Sequence, residues 1–245
     1  MKDIATILGV PVAPYTMDEA VAKLTGDTLA NKRNFVVTAN AEIIMMAQED
    51  KEYKKLLAET ADLVLPDGAG TVWAGNYLGY RIPERVAGYD LYLRLLEEAA
   101  KKNIPVYFFG GKPGIAEEAA AEGRRRWPGL MVAGCRNGYF SADEEPEIIE
   151  GINQSGAAML FAALGAPKQE KWLAKYRTLL NPDLLMGIGG SFDVLAGKVQ
   201  RAPKWMQDAR LEWLFRLLKQ PSRFGRMLAL PKFVFAIREE KGKKK

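Results

Sequence analysis

Six short runs rich in Val, Ile, Leu, Met and Phe punctuate the chain, near Phe35 to Ala39, Leu63 to Leu65, Val106 to Phe109, Met131 to Gly134, Met159 to Leu164 and Leu184 to Ile188. Each ends in a glycine or small-residue turn, and apolar positions then recur at helical rather than alternating spacing. The spacing predicts helices over Met17 to Asn31, Ala41 to Leu57, Ala69 to Leu78, Tyr89 to Lys102, Ile115 to Trp127, Asp143 to Gln154 and Lys168 to Tyr176. Strands that are apolar on both faces and alternate with helices predict an α/β fold. The expected form is a Rossmann-like, mostly parallel sheet with helices on both faces.

The two ends depart from this rhythm. Ile4 to Pro14 reads as a short extended element or hairpin, and Thr16 as the N-cap of the first helix. Beyond Gly197 the strand pattern stops. Leu211, Leu214, Phe215 and Leu218 fall at i, i+3, i+4 and i+7 with Arg210, Arg216 and Lys219 around them, so an amphipathic helix is expected. Pro221 and Pro231 should divide this part into about three helices, and the charged end from Glu239 to Lys245 should fray. The chain thus divides into an α/β domain over residues 1–197 and a basic helical appendage over residues 198–245.

Charge sharpens that division. Residues 198–245 carry 14 Lys or Arg against 4 Asp or Glu, whereas the rest of the chain carries 21 against 26, within an overall net charge of +5. A basic module on an acidic body suits a polyanion, either nucleic acid or an anionic membrane face, and a solvated helix surface is the plain alternative. Histidine is absent and Cys135 is the one cysteine, which excludes imidazole acid-base chemistry, Cys/His zinc sites and disulfides. Proton transfer must fall to a carboxylate, Lys, Tyr or water. The first residues lack a sustained apolar segment, and no stretch reaches a membrane-spanning length, so a cytoplasmic chain that spans nothing is expected.

Open α/β sheets bind ligands at the carboxyl ends of their strands. Thr38-Ala39-Asn40-Ala41-Glu42 follows the first run, and Asn40 could be a simple cap or could leave a helix N-terminus ready for an anion. Pro66-Asp67-Gly68-Ala69-Gly70 follows the second, where Asp67 is either a cap or a general base. Gly110-Gly111-Lys112-Pro113-Gly114, Gly165-Ala166-Pro167-Lys168-Gln169-Glu170 and Gly187 to Asp193, with Gly189 and Gly190 at its centre, are glycine turns whose N–H groups could cradle a diphosphate. There is no P-loop, no complete G-x-G-x-x-G and no D-x-D pair. A nucleotide-sugar diphosphate would then rest on N–H groups and cations, for which Arg85, Lys168 and Arg201 are candidates, each equally able to be a surface ion pair.

TANAEI at Thr38 to Ile43, PDGAG at Pro66 to Gly70, PERVAG at Pro83 to Gly88, GAPKQE at Gly165 to Glu170, GGSFDVLAGK at Gly189 to Lys198 and RAP at Arg201 to Pro203 occur in order. With LEWLFRL at Leu211 to Leu217, this combination resembles the WecG/TagA/CpsF glycosyltransferases over nearly the whole chain. The resemblance implies an inverting, UDP-sugar-dependent hexosyltransferase acting early in cell-surface polymer synthesis, such as wall teichoic acid. The implied reaction moves N-acetylmannosamine from UDP to undecaprenyl-diphosphate-linked N-acetylglucosamine in β-1,4 linkage. Asp67 is similar to the family's proposed base, Thr38 and Asn40 to pocket residues beside it, and Arg85 and Gln169 to groups handling the sugars or diphosphate. With the glycines Gly110, Gly111, Gly165, Gly189 and Gly190, and Asp193, they make up the expected site, with no metal ligand and no cofactor beyond the UDP-sugar substrate.

A lipid-linked acceptor also gives the tail a purpose. Arg216, Arg223 and Arg226 are expected to meet the acceptor diphosphate or anionic headgroups, with Trp205, Trp213, Phe215 and Phe224 adding interfacial burial, on the inner face of the plasma membrane. The same apolar face could instead pack on the body or join a second copy in a homo-oligomer. No recognised nucleic-acid motif accompanies the basic residues, so nucleic acid is not an expected partner. Another UDP-sugar donor, or nucleotide binding without turnover, are the alternative functions.

Overall fold

The computed structural model describes residues 3–208, 212–219 and 228–243. A hairpin of β1 (Ala5–Ile7) and β2 (Val10–Val12) opens the chain, and α1 (Met17–Leu29) follows from a capping box in which Thr16 and Glu19 satisfy each other's amides. The main sheet contains β3 (Asn34–Ala39), β4 (Leu63–Pro66), β5 (Val106–Gly110), β6 (Val132–Arg136), β7 (Met159–Ala163) and β8 (Leu184–Gly187). All its pairings are parallel, in the order β4-β3-β8-β7-β5-β6.

Both faces of this sheet are covered, as its apolar runs require. On one face Phe35, Val37, Phe109, Leu160 and Leu185 meet α2 (Ala41–Glu49), α7 (Glu145–Gln154) and α8 (Lys168–Tyr176). On the other, Val36, Phe108, Phe161 and Met186 meet α1, α5 (Gly88–Lys102), α6 (Ile115–Arg126) and α9 (Ser191–Leu195). An aromatic cluster fixes the second layer. Tyr92 of α5 lies edge-on to Phe161 with centroids 4.9 Å apart, and Phe108 stacks on Phe192 of α9 at 4.8 Å. The N-termini of α5 and α9 are thereby held at the carboxyl edge of the sheet.

Three expectations need correction. The helix predicted from Ala41 to Leu57 breaks at Asp50, whose extended backbone and side-chain bond to the Tyr53 amide start α3 (Lys51–Lys55), which continues as a π-turn to Thr60. Local capping by Asp wins there over helix continuation. Pro231 does not divide the tail: it sits in the first turn of α12 (Ala229–Lys243), where a missing N–H costs nothing. That helix is not frayed over Glu239 to Lys243 either. It buries Phe233 and Ile237 in the first core layer, Glu240 accepts from the Leu8 amide of the hairpin turn, and Lys241 donates to the Tyr77 carbonyl. Before it lie α10 (Lys204–Asp208) and α11 (Glu212–Lys219).

Candidate active site

The carboxyl ends of β3 and β4 bring Thr38 and Asp67 together, because these strands are in parallel register with Thr38 opposite Leu65 and Ala39 opposite Pro66. The Asp67 amide donates to the Ala39 carbonyl at 3.0 Å, and the Thr71 hydroxyl of α4 (Ala69–Tyr77) donates to the same carbonyl, also at 3.0 Å. Gly68 turns at a φ of 92°, a region that favours glycine, so that the chain leaves Asp67 and enters α4 at once. Thr38 lies on the same sheet face as Val36, towards α5. The first residue of that helix, Gly88, closes the corner: a methyl group there would stand 2.6 Å from Thr38 Oγ1 and 3.5 Å from Asp67 Oδ2. The bare glycine is thus the wall against which both oxygens are set.

Asn40 caps α2, its Oδ1 accepting from the Ile43 amide at 3.0 Å. That cap is common to both readings of Asn40, the simple cap and the helix N-terminus ready for an anion. Gly68 and Gly70 lie against Asn40 Cβ and Ala41 Cβ, each 3.6 Å from an added Cβ, so this turn closes on the start of α2.

Arg85 reaches the same edge from the loop before α5, where the neighbouring Val86 amide donates to the Pro66 carbonyl at 2.8 Å. Its Nη1 donates to Glu212 Oε2 at 2.9 Å, and its Nη2 lies 3.9 Å from Asp90 Oδ2. Arg201 joins it, with Nη2 donating to Asp90 Oδ2 at 2.8 Å, Nε to Glu212 Oε1 at 3.1 Å, and its guanidinium 5.1 Å from the Tyr89 ring centroid. Two arginines and two carboxylates thus tie α11 of the tail to the N-terminal turn of α5. Burial pushes the Glu212 carboxyl up, but hydrogen bonds and charge from Arg201 and Arg85 outweigh it and hold the group below its ordinary range. Lys168 does not join them; it lies over the Phe140 ring at 4.7 Å.

The glycine turns are used differently from the expectation of open N–H cradles. Gly110 turns at a φ of 127° with its Cα against β7, where an added Cβ would meet the Ala163 carbonyl oxygen at 2.4 Å; the Gly111 amide donates to that oxygen at 3.0 Å. The amides of Gly165 and Gly189 donate to one side-chain atom, Gln169 Oε1, at 3.1 Å and 2.9 Å. In this structure those three N–H groups donate within the protein. Gln169 itself is buried. Asp193, in α9, holds its carboxylate 4.0 Å from where a Cβ on Gly190 would stand, while its carbonyl accepts from the Lys198 and Val199 amides.

Arg216 lies in α11, and Arg223 and Arg226 lie outside the described residues, as does Phe224. Trp205 and Trp213 of the tail are exposed, at 65% and 43%, and Phe215 is half-buried. Among the described residues no helix is long and apolar enough to cross a membrane. Sequence reading missed Gly88, Asp90, Glu170 and Glu212. The first two stand within PERVAGYD and could have been found as small and acidic positions opening a helix beside Arg85.

A family model described as Glycosyl transferase WecG/TagA/CpsF family matches residues 5–245. The chain is similar to the N-acetylglucosaminyldiphosphoundecaprenol N-acetyl-beta-D-mannosaminyltransferase of Bacillus spizizenii (strain ATCC 23059 / NRRL B-14472 / W23), with 41% identity over 207 residues that cover 84% of this chain and 79% of the relative. It is also similar to the protein of the same name from Bacillus subtilis (strain 168), at 34% identity over 241 residues, 98% of this chain and 93% of the relative.

Proposed function

Because the chain belongs to the WecG/TagA/CpsF glycosyltransferase family, we propose that it moves N-acetylmannosamine from UDP to undecaprenyl-diphosphate-linked N-acetylglucosamine. The transfer inverts the anomeric centre to give a β-1,4 bond, at the inner face of the plasma membrane, in wall teichoic acid synthesis. The observation that carries the site is the convergence of Thr38 Oγ1 and Asp67 Oδ2 on bare Gly88.

Asp67 takes the proton of the acceptor hydroxyl as that oxygen attacks the anomeric carbon, and the bond from that carbon to the UDP oxygen breaks on the opposite side. The electron pair leaves with UDP. A positioned base of this kind contributes on the order of 10²–10⁴-fold in rate. Thr38 holds the acceptor or donor hydroxyl beside Asp67, and Asn40 lines the same corner. Arg85 and Arg201, next to the corner at the start of α5, are the cations for the leaving diphosphate, exchanging their bonds to Asp90 and Glu212 for phosphate oxygens. Docking of the basic tail on an anionic leaflet brings the site to an acceptor that stays in the bilayer.

Incubation with UDP-N-acetylmannosamine and a short-chain lipid-diphosphate-N-acetylglucosamine, followed by mass and anomeric analysis of the lipid product, tests this reading. A β-linked N-acetylmannosaminyl product is expected. A product from another UDP-sugar would change the donor, and nucleotide binding without any product would replace the reading by a non-catalytic one.

A further inference from the structure

One buried carboxylic acid near the glycine turns has no part in the reaction proposed above. Glu170, in the first turn of α8, is 1% exposed, and its neighbour Gln169 is 4% exposed. Gln169 Nε2 donates to Glu170 Oε1 at 2.6 Å, while Gln169 Oε1 accepts from the amides of Gly165 and Gly189. The amide can face only one way, since the opposite orientation would set its NH₂ against two N–H donors. Glu170 selects that orientation by offering an acceptor to the NH₂.

Room for this arrangement is made by β8. Gly187 lies so close that an added Cβ would stand 2.6 Å from Gln169 Nε2 and 2.9 Å from Glu170 Oε1. The titratable group facing Glu170 is Tyr53 of α3, whose hydroxyl is also buried, and no lysine or arginine among the described residues pairs with the carboxyl. Burial pushes the Glu170 carboxyl above its ordinary value, which favours the neutral acid. A carboxyl held without a countercharge is a costly way to fill space that an apolar side chain would fill. Its return is positional: one amide ties together the turns after β7 and β8, two loops at the edge where Asp67 sits.

We propose that Glu170 is a positioning residue for the transfer reaction, acting through Gln169 to hold the Gly165 and Gly189 turns in register at the crevice. This rests on the transferase reading for its kinetic readout, but the turn geometry is measurable without it. Two substitutions separate the role from simple core packing. Glu170→Gln keeps an acceptor for Gln169 Nε2, whereas Glu170→Met fills the space and removes it.

The test compares thermal midpoint, kcat and KM for the UDP-sugar, and hydrogen exchange of peptides spanning residues 163–170 and 186–191. Glu170→Met is expected to melt at or above the wild type while kcat/KM falls at least about tenfold and both turns exchange faster. Glu170→Gln is expected to restore protection and stay within about threefold in turnover. Gly187→Ala, which crowds the Gln169 amide from the other side, should reproduce the loss and serves if Glu170→Met does not fold. Unchanged exchange and turnover in both Glu170→Met and Gly187→Ala, or a Glu170→Gln variant as impaired as Glu170→Met, would overturn the proposal. An inactive wild type would sink the transferase reading alone, leaving the exchange data to decide this one.

Discussion

Replacing Gly88 by alanine adds one methyl group where α5 meets Thr38 and Asp67. That methyl would stand 2.6 Å from Thr38 Oγ1, about 0.8 Å inside ordinary contact, 3.3 Å from Thr38 Cβ and 3.5 Å from Asp67 Oδ2. Gly88 does not adopt a left-handed backbone, so the substitution adds no backbone strain there. Overpacking costs about 1–3 kcal/mol, and at the first position of α5 helix propensity offsets little of it, so the loss of stability should be at most about 3 kcal/mol. Relief must come from turning the β-branched Thr38 side chain, at about 0.5–1.5 kcal/mol, or from moving α5 off the sheet edge. Either displaces the Thr38 hydroxyl relative to Asp67, which stays at ordinary contact distance, by a sizeable fraction of an ångström, and this should lower kcat/KM by roughly 10- to 100-fold. The assay pairs UDP release with a thermal melt. Gly26→Ala, in mid-helix α1 with nothing within 4 Å of the new methyl, is the control and should gain about 0.5–1 kcal/mol without touching turnover. A folded Gly88→Ala protein with wild-type turnover would refute the placement of the chemistry at Thr38 and Asp67.

Four further outcomes follow from the structure. Glu212→Gln should weaken the clamp of Arg85 and Arg201 on α11, costing about 1–3 kcal/mol of tail docking and making residues 200–220 more susceptible to limited proteolysis. The folded-state Glu212 carboxyl is held below its ordinary value of 4.5, so the docking it contributes is present above that pH and is lost as pH falls through the lower folded value; protease sensitivity should rise in that acid range in the wild type and be flat in Glu212→Gln. Burial pushes the Cys135 thiol up to about 11, so the native protein should react slowly with a disulfide reagent at pH 8, at a rate that climbs with pH; rapid stoichiometric labelling at pH 7 would contradict this environment. Turnover should survive EDTA in full, and strict dependence on Mg²⁺ or Mn²⁺ would sink the assignment of diphosphate stabilisation to arginine.

The sheet was legible because its central strands are apolar on both faces and alternate with helical segments, the pattern of a doubly covered parallel sheet. Where burial fades, so does the signal. The edge strand β6 is only half-buried and runs two residues beyond the expected Met131 to Gly134, to Arg136. Phe233 and Ile237 anchor α12 in the core, yet nothing local distinguishes them from the exposed Phe235 in the same helix. At the candidate site, Thr38, Asn40 and Asp67 could be placed at one edge because each lies at the end of an apolar run or just after it. The role of Gly88 was hidden, since a glycine that makes room for two oxygens has the same local appearance as one that starts a helix. Partners of Arg85 and Arg201 were equally hidden, because Glu212 meets Arg85 from 127 positions away. The glycine turns do follow β5, β7 and β8, but which N–H groups the protein keeps for itself depends on contacts between loops that no spacing encodes.

The most direct measurement is acceptor-dependent UDP release from UDP-N-acetylmannosamine by the wild type and by Asp67→Asn, at matched fold stability. The account predicts release by the wild type and a loss of at least about 10²-fold in kcat, with donor binding retained, in the variant. Wild-type turnover undiminished in Asp67→Asn would contradict the assignment of Asp67 as the base.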